Sequence, residues 1–548
     1  MSAAPVPHRT RPLVSGWVAA LTASVLTAAA LTAAPPASAA DLTAFTDQAL
    51  RACVQDALSN TPAGSLTGIT SLGCANKSVA ALDGIDTLTG LIDLSLGSNQ
   101  IGSLNGVAFP SGLNYLYLNG NQIASLDEVT FPSALRSLYL RSNQIGSLNG
   151  VAFPSGLNYL DLGSNQIGSL NGVAFPSGLD YLYLNGNQIA SLDGVAFPTS
   201  LRYLYLQSNQ IGSLNEVAFP SGLIYLYLNN NWIASLDGVA FPTALHQLRL
   251  GANRIVPLDG VTFPNSLQDL DLHSNQIESL EGVTFPTELR SLDLDTNQIA
   301  SLDGVGFPTE LRSLYLDNNQ IVSLDEATFP NALQHLSLYG NRIVSLDGVT
   351  FPTRLQSLRL YSNRIVYLDE ATFPNELQYL DLHSNRIVSL DEATFPTGLQ
   401  TLILGSNRIV SLDEATFPTG LIYLGLTGNR IVSLDGATFP NALQSLHLYS
   451  NRIVSLDGVT FHDGLQNLSL DYSLRSVLGE ATFLSTVSVC FYTPSYSREE
   501  CVDYGPAVGA PPVAVVGVSV SPETASMPVD GTVKLSATVT PNDATDKT

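Results

Sequence analysis

The chain has 548 residues and a formal net charge of −24, because 23 Lys and Arg residues stand against 47 Asp and Glu residues. Nucleic acid and anionic membranes repel a surface this acidic, so neither is expected as a partner. The length would suit several domains, but internal repeats have to be sought before domains are counted.

Residues 1–40 have the organisation of a secretory signal peptide. A basic start that ends at Arg11 is followed by an apolar, Ala-rich run over 13–31 and by the small residues Ala37-Ser38-Ala39. The alternative is an uncleaved transmembrane anchor, since the apolar run is nearly long enough to span a bilayer. Pro35-Pro36 and the lack of a following charge cluster favour cleavage. We therefore predict a secreted, extracellular protein, free or associated with the cell wall, with no membrane insertion after signal removal.

Residues 41–90 are predicted to cap the N-terminal end of the repeats that follow. Apolar side chains recur at helical spacing from Phe45 to Leu58, so we expect a short amphipathic helix within 41–60. The rest of this segment keeps the leucine spacing of the repeats, but Lys77 stands where they have asparagine.

From 91 to 484 the chain repeats every 22 residues, and an asparagine marks each of 17 full coils from Asn99 to Asn451, before a degenerate last coil. The shared pattern is L-x-x-L-x-L-x-x-N-x-I-x-x-L-x-x-V-x-F-P-x-x. The second and third leucines alternate with period two, which predicts a short strand with its leucines facing inward. Strands of neighbouring coils should form one long parallel sheet, because a single coil cannot bury its own apolar face.

The asparagine and the Phe-Pro pair have separate roles in each coil. The asparagine amide can donate and accept hydrogen bonds where the buried chain turns. The phenylalanine recurs from Phe109 to Phe461 and should form an aromatic spine at the back of the core. The proline keeps the back of the coil extended or turned, with no room for a helix.

This register matches the leucine-rich-repeat signature, and over residues 72–484 the chain resembles the bacterial leucine-rich-repeat families. The 22-residue spacing, and the helix followed by a degenerate first coil, resemble internalins. The run F-P-x-x-L-x-x-L-x-L is similar to the Leu-Pro repeats of secreted bacterial effectors, with Phe in place of Leu. The resemblance implies a horseshoe-shaped solenoid with a parallel sheet on its concave face and little helix beyond the cap. It implies a binding scaffold and no catalytic chemistry.

The repeats end where Ser473 replaces the asparagine and Leu484 replaces the proline, so 485–505 is predicted to be a C-terminal cap. Residues 506–517 form a Pro/Gly/Ala linker. Residues 518–548 resemble the start of a bacterial group 2 Ig-like domain, with a turn at Asp530-Gly531 and an alternating strand after it. A whole sandwich needs about 80–100 residues. We therefore expect a truncated, partial β-sandwich.

The four cysteines, Cys53, Cys74, Cys490 and Cys501, are expected to form two disulfides, since an even count in an exported chain suggests bridges. At ~4.8 Å per strand the asparagine coils would span about 77 Å, whereas a disulfide needs Cα atoms within ~7 Å. We thus predict Cys53–Cys74 and Cys490–Cys501, one bridge at each end. A metal site in their place would lack nearby histidine.

Tyrosine is concentrated at the outward positions of the predicted strands. Tyrosine is enriched in binding surfaces because it combines apolar area, a hydrogen-bonding tip and little rotamer entropy. These residues predict a concave-face binding surface for a protein or a glycan, with Trp232 as a further candidate contact. The alternative is that aromatic ladders only stabilise the sheet. The candidate residues are Tyr115, Tyr117, Tyr159, Tyr181, Tyr183, Tyr203, Tyr205, Tyr225, Tyr227 and Trp232.

An acidic patch is predicted on the same face, formed by Asp269, Asp271, Asp293, Asp295 and Asp317, with His273 among them. Asp271 and Asp293 should lie ~5 Å apart on neighbouring strands. Contact with a basic ligand, a Ca²⁺ site and a retaining glycosidase pair are alternatives. Because an open face offers no pocket that would raise a carboxyl pKa, we expect solvated acids and no cofactor.

The residue after the asparagine changes from Gln in most early coils to Arg in the last six, from Arg342 to Arg452. Six cations in a column would attract an anionic ligand. We expect nearby acids, such as Asp369-Glu370, to offset them.

No phosphate-binding glycine loop, HExxH motif or nucleophile elbow occurs, and the histidines are scattered without ligand spacing. We therefore predict a non-enzymatic, monomeric binding module, secreted or on the cell surface, that acts in adhesion or recognition. The alternatives are the non-catalytic N-terminal part of a longer exported enzyme and a structural surface spacer.

Overall fold

The computed structural model describes residues 41–61, 64–493, 498–505, 517–521 and 536–540. The predicted signal peptide, most of the linker and much of the C-terminal segment lie outside these residues. No helix in the described ranges has the length and apolar character needed to cross a membrane.

The N-terminal helix α1 spans Gln48–Ser59 and buries Leu50, Cys53, Val54 and Leu58. It begins at Asp47, whose Oδ1 accepts a hydrogen bond from the Leu50 N–H at 2.9 Å. The other carboxylate oxygen accepts from Ala80 N–H at 2.8 Å, so one side chain caps the helix and fastens it to the first coil. Short 3-10 helices follow at Leu66–Gly68 and Ile85–Thr87.

The predicted solenoid is confirmed as a 21-stranded sheet in which all neighbours pair in parallel until the last strand. Each repeat contributes a three-residue strand whose middle leucine is buried. In chain order these strands are β1 Ser71–Gly73, β2 Asp93–Ser95, β3 Tyr115–Tyr117, β4 Ser137–Tyr139, β5 Tyr159–Asp161, β6 Tyr181–Tyr183, β7 Tyr203–Tyr205, β8 Tyr225–Tyr227, β9 Gln247–Arg249, β10 Asp269–Asp271, β11 Ser291–Asp293, β12 Ser313–Tyr315, β13 His335–Ser337, β14 Ser357–Arg359, β15 Tyr379–Asp381, β16 Thr401–Ile403, β17 Tyr423–Gly425 and β18 Ser445–His447.

The C-terminal end departs from the repeat. Strands β19 Thr460–Phe461 and β21 Thr482–Phe483 pair at the back of the last coils. Strand β20 Asn467–Asp471 extends the main sheet and leads into a 3-10 helix over Tyr472–Glu480. The sheet ends with β22 Val487–Tyr492 and the antiparallel β23 Arg498–Tyr504. Separately, β24 Gly517–Ser521 and β25 Ser536–Thr540 form an antiparallel pair. The Ig-like identity of that segment stays a prediction.

The asparagines form the predicted ladder inside the coils. Asn231 is typical: its Nδ2 donates to the Leu206 and Leu228 carbonyls at 3.0 and 2.9 Å, and its Oδ1 accepts from Ile211 N–H at 3.0 Å. Each asparagine thus joins its own coil to the one before it. Behind the leucine core, the phenylalanines stack as expected, with ring centroids 6.0 Å apart for Phe241 and Phe263.

The two ends differ in their cysteines. Cys490 and Cys501 form a disulfide across β22 and β23. The predicted Cys53–Cys74 disulfide is absent from the structure, in which both residues are buried thiols. Burial, with the neighbouring Cys53 as a further cause, raises the pKa of the Cys74 thiol. The thiolate that disulfide exchange requires is therefore suppressed there.

Candidate functional site

The tyrosines predicted to bind a ligand stand in two columns on the face of the sheet that points away from the leucine core. We call this surface the tyrosine face. In β6, Tyr181 and Tyr183 flank the buried Leu182 and are themselves half-buried. From β6 to β8 the parallel register places each tyrosine directly beside its equivalent in the next strand, as Tyr181 beside Tyr203 and Tyr183 beside Tyr205, whereas Ser137 and Asp161 interrupt the columns nearer the N-terminus. Strands β3 and β5 to β8 carry all nine predicted tyrosines, and β4 adds Tyr139 to the same face.

Most of these rings stack on one another. The ring centroids of Tyr181 and Tyr203 lie 4.2 Å apart with planes 5° apart, and those of Tyr183 and Tyr205 lie 4.3 Å apart at 4°. Tyr115 is more open, 41% exposed, because Ser137 is its neighbour in the column. Stacked rings cover each other's faces, so the column presents ring edges and hydroxyl groups to solvent.

The stacking has an electrostatic consequence. Burial of the ring and hydroxyl, followed by repulsion from the neighbouring phenol, raises the pKa of Tyr139 to about 12. Burial also raises the pKa of Tyr181 to about 12 and raises those of Tyr183 and Tyr205. These phenols are therefore neutral hydroxyl donors at physiological pH, and Asp161 stands between Tyr139 and Tyr183 in the second column.

The tyrosine face ends at β9. The Tyr227 hydroxyl donates to Gln247 Oε1 at 2.8 Å, and the ring of Tyr227 is turned 89° from that of Tyr205. Next in the same column is Arg249, which was not among the residues predicted from the sequence. Its Nη2 donates to Asp269 Oδ2 at 2.8 Å, and its Nη1 lies 3.5 Å from Asp271 Oδ2. Its position, one repeat before Asp271, was the signal that could have identified it.

The predicted acidic patch lies beyond Arg249, and the expectation of solvated acids is wrong for its inner members. Asp271 and Asp317 are 7% and 6% exposed. Asp271 and Asp293 are register partners, as predicted. Burial raises the pKa of Asp293 to about 6 and that of Asp317 to about 7. Neighbouring strands cover these carboxyls on a surface that the sequence suggested was open.

Asp271, His273 and Asp293 bring one potential metal-ligand atom each to within 4.8 Å of one another. However, Asp271 already accepts from His273 Nδ1 at 2.5 Å and lies beside Arg249. The hydrogen bond from His273 and the nearby positive charges lower the Asp271 pKa against the opposing effect of burial. A set with an imidazole nitrogen and a carboxylate shared with arginine is a poor match to the all-oxygen shell of Ca²⁺.

Trp232 does not share the tyrosine face. It follows Asn231, outside strand β8, and is 48% exposed. The guanidinium carbon of Arg254 lies 5.4 Å from the centre of its ring. Trp232 and Arg254 therefore form a separate cation–π pair on the flank of the solenoid.

Comparisons with known proteins agree with this architecture. The family model described as leucine rich repeat matches residues 89–145, 133–189, 243–299 and 309–352. No curated protein matches the sequence. Among solved structures, the chain is similar to YopM from Yersinia enterocolitica, with 21% identity over 77% of this chain and 94% of that chain and a TM-score of 0.54. This likeness shows the fold alone.

Two structures from Listeria monocytogenes are also similar. An internalin (inlF) is 24% identical over 63% of this chain and 91% of that chain, with a TM-score of 0.47. The functional domain of InlJ is 24% identical over 67% of this chain and 76% of that chain, also with a TM-score of 0.47. Together with the strand register, the family match identifies the chain as a solenoid of leucine-rich repeats.

Proposed function

We propose that this protein is an exported binding module that recognises a protein ligand through the tyrosine face. The observation that carries the proposal is the group of tyrosines on adjacent strands from β3 to β8, most of them half-buried and in ring contact with one another, with neutral hydroxyls. The leucine-rich-repeat fold supports it, because stacked repeats create extended binding surfaces. Export follows from the signal-like segment at 1–40.

The dimensions suit the centre of an interface. From β3 to β8 the tyrosine face spans five strand steps, ~24 Å at ~4.8 Å per step. Protein interfaces of standard size bury about 800 Å² per partner and place aromatic residues at the centre and charged residues at the rim. Arg249 and Asp269, which adjoin the tyrosines, would stand at that rim.

A protein ligand suits the face better than a glycan. Sugar rings stack on open aromatic faces, and here neighbouring tyrosines occupy most of those faces. The hydroxyl row instead offers hydrogen bonds to backbone and side-chain groups of a partner. Adhesion is the biological role that fits a secreted or surface-attached protein of this kind.

The experiment removes hydroxyls and keeps the stack. Tyr181, Tyr183, Tyr203 and Tyr205 are changed together to Phe, and the full chain is probed against an array of purified extracellular and cell-surface proteins beside a glycan array. The matched control changes Tyr339 and Tyr361 to Phe, since that pair stacks at 4.3 Å outside the tyrosine face.

We expect protein binding that the fourfold variant loses and the control keeps, with unchanged circular dichroism. Binding that survives the fourfold change would place the site elsewhere. A purely glycan response would overturn the ligand class, and no response on either array would favour the structural spacer.

A further inference from the structure

The last six full coils share a pattern on one flank that neither the tyrosine face nor the core explains. Each carries an exposed arginine directly after its asparagine, a valine two residues later and an exposed aspartate three residues beyond that. We call this set the Arg-Val-Asp stripe. Its members are Arg342, Val344 and Asp347; Arg364, Val366 and Asp369; Arg386, Val388 and Asp391; Arg408, Val410 and Asp413; Arg430, Val432 and Asp435; and Arg452, Val454 and Asp457.

The backbone holds these columns in register. Arg364 N–H donates to the Ile343 carbonyl at 2.9 Å, and the same bond recurs from coil to coil. Val388 N–H and Val432 N–H add bonds to the valine of the preceding coil at 3.3 Å. Equivalent side chains therefore repeat at about the strand spacing, ~4.8 Å. The result is three parallel rows, basic, apolar and acidic.

The expectation that nearby acids offset the arginines is wrong within the described residues. All six arginines are exposed, and none of their guanidinium groups has a carboxylate within 4.0 Å there. Most of the row of valines is open to solvent: Val344 is 48%, Val410 49% and Val432 50% exposed, whereas Val366 and Val388 are half-buried. A row of exposed cations beside a partly exposed apolar row can bind an anionic surface that also offers apolar side chains.

We propose that the Arg-Val-Asp stripe is a self-complementary surface through which two copies of this chain pair face to face, with their coils stacked in the same direction. A two-fold axis that runs along the valine row, in the plane of the contact, exchanges the arginine and aspartate rows, so each arginine row faces the acidic row of the other copy. The valine rows meet at the centre. This is an isologous contact, in which the same patch serves both copies.

The repeat spacing is what favours a second copy over another anion. The acidic row of the stripe has the same one-coil step as the arginine row, so the spacing of the two rows matches along the whole stripe. With the axis along the valine row, each coil faces the same coil of the second copy, so Arg386 faces its Asp391 and Arg408 faces its Asp413. The patch measures about 24 by 16 Å from ~4.8 Å per coil and ~3.3 Å per residue. That is below the ~800 Å² per partner of a standard interface, so the dimer should be weak.

The test is sedimentation equilibrium of the full chain over a wide concentration range. Salt is held at about 0.15 M, where the Debye length of ~8 Å screens the overall repulsion between the copies. We expect a monomer–dimer equilibrium. The variants Arg386→Glu/Arg408→Glu and Asp391→Lys/Asp413→Lys should each raise the dissociation constant at least about tenfold, because like charges then face each other.

An equimolar mixture of the two variants gives the decisive result. In a mixed pair, every reversed charge meets a reversed partner and every native charge meets a native one, so the mixture should dimerise about as well as the wild type. Arg312→Glu/Arg354→Glu is the matched control, since these exposed arginines lie outside the stripe and give the same change in net charge. Circular dichroism checks that each variant is folded.

Three results would overturn the proposal. The first is a wild-type chain that stays monomeric at every concentration, which would leave the stripe for a different anion, such as an acidic peptide. The second is a mixture that dimerises no better than either variant alone. The third is a control that weakens the dimer as much as the Arg386/Arg408 variant, because net charge and not the stripe would then govern association.

Discussion

Replacement of one ladder asparagine, Asn231→Ala, should destabilise the solenoid by about 3 kcal/mol. Asn231 is 4% exposed and makes three short hydrogen bonds. The Leu206 carbonyl keeps a second donor in Asn209, and the Leu228 carbonyl keeps one in Asn253. The Ile211 N–H, by contrast, loses its partner. One buried unpaired N–H costs ~1–3 kcal/mol, and two lost secondary bonds cost ~0.5–1.5 kcal/mol each.

Asn231→Asp separates the accepting from the donating role of the amide. The carboxylate can still accept from Ile211 N–H, but it faces two carbonyl oxygens where Nδ2 had donated. We expect this variant to be at least as destabilised as Asn231→Ala near neutral pH and to recover partly in acid, since protonation restores one donor.

Urea unfolding of the full chain, followed by the fluorescence of the adjacent Trp232, measures both variants. Because repeats interact only with their neighbours, a local probe reports on the damaged coils. The control is Asn105→Ala, a change at an exposed asparagine of an early coil. If Asn231→Ala unfolds within about 0.5 kcal/mol of this control, the surface-substitution range, the ladder does not stabilise the fold as argued.

Three further predictions follow from burial. The pKa of Asp317 is about 7 in the folded chain against an ordinary 3.8, so the wild type loses stability as the pH rises between those values. Asp317→Asn should therefore be more stable than the wild type near pH 8 and gain little near pH 4, which urea midpoints at the two pH values would measure. A similar gain at both pH values would contradict the burial of its charge. Cys53 and Cys74 should resist thiol reagents in the native chain and react after denaturation, and fast native labelling would refute their burial. Phe351→Ala should lower the free energy of unfolding by about 3–5 kcal/mol, and Phe329→Ala should lower it less because Phe329 is more exposed. Equal losses in thermal or urea unfolding would show that burial of the ring does not set its contribution to stability.

The sequence by itself determined the solenoid. The 22-residue period, the inward leucines, the asparagine ladder and the phenylalanine spine were all readable, because each coil contacts mainly its neighbours and the same local pattern recurs in every coil. The columns of tyrosine and aspartate followed as well, since a fixed period turns sequence positions into rows on a sheet.

Only the tertiary structure decided how the side chains in those rows meet. Tyr181 and Tyr203 cover each other's faces, Arg249 joins Asp269 and Asp271, and the Asp317 carboxyl is buried with a raised pKa. Cys53 and Cys74 remain thiols, and the arginines from Arg342 to Arg452 remain unpaired within the described residues. The physical reason is that the period fixes where each Cα lies, whereas rotamers, desolvation and charge pairing depend on which side chains stand on the adjacent coils and how closely they pack.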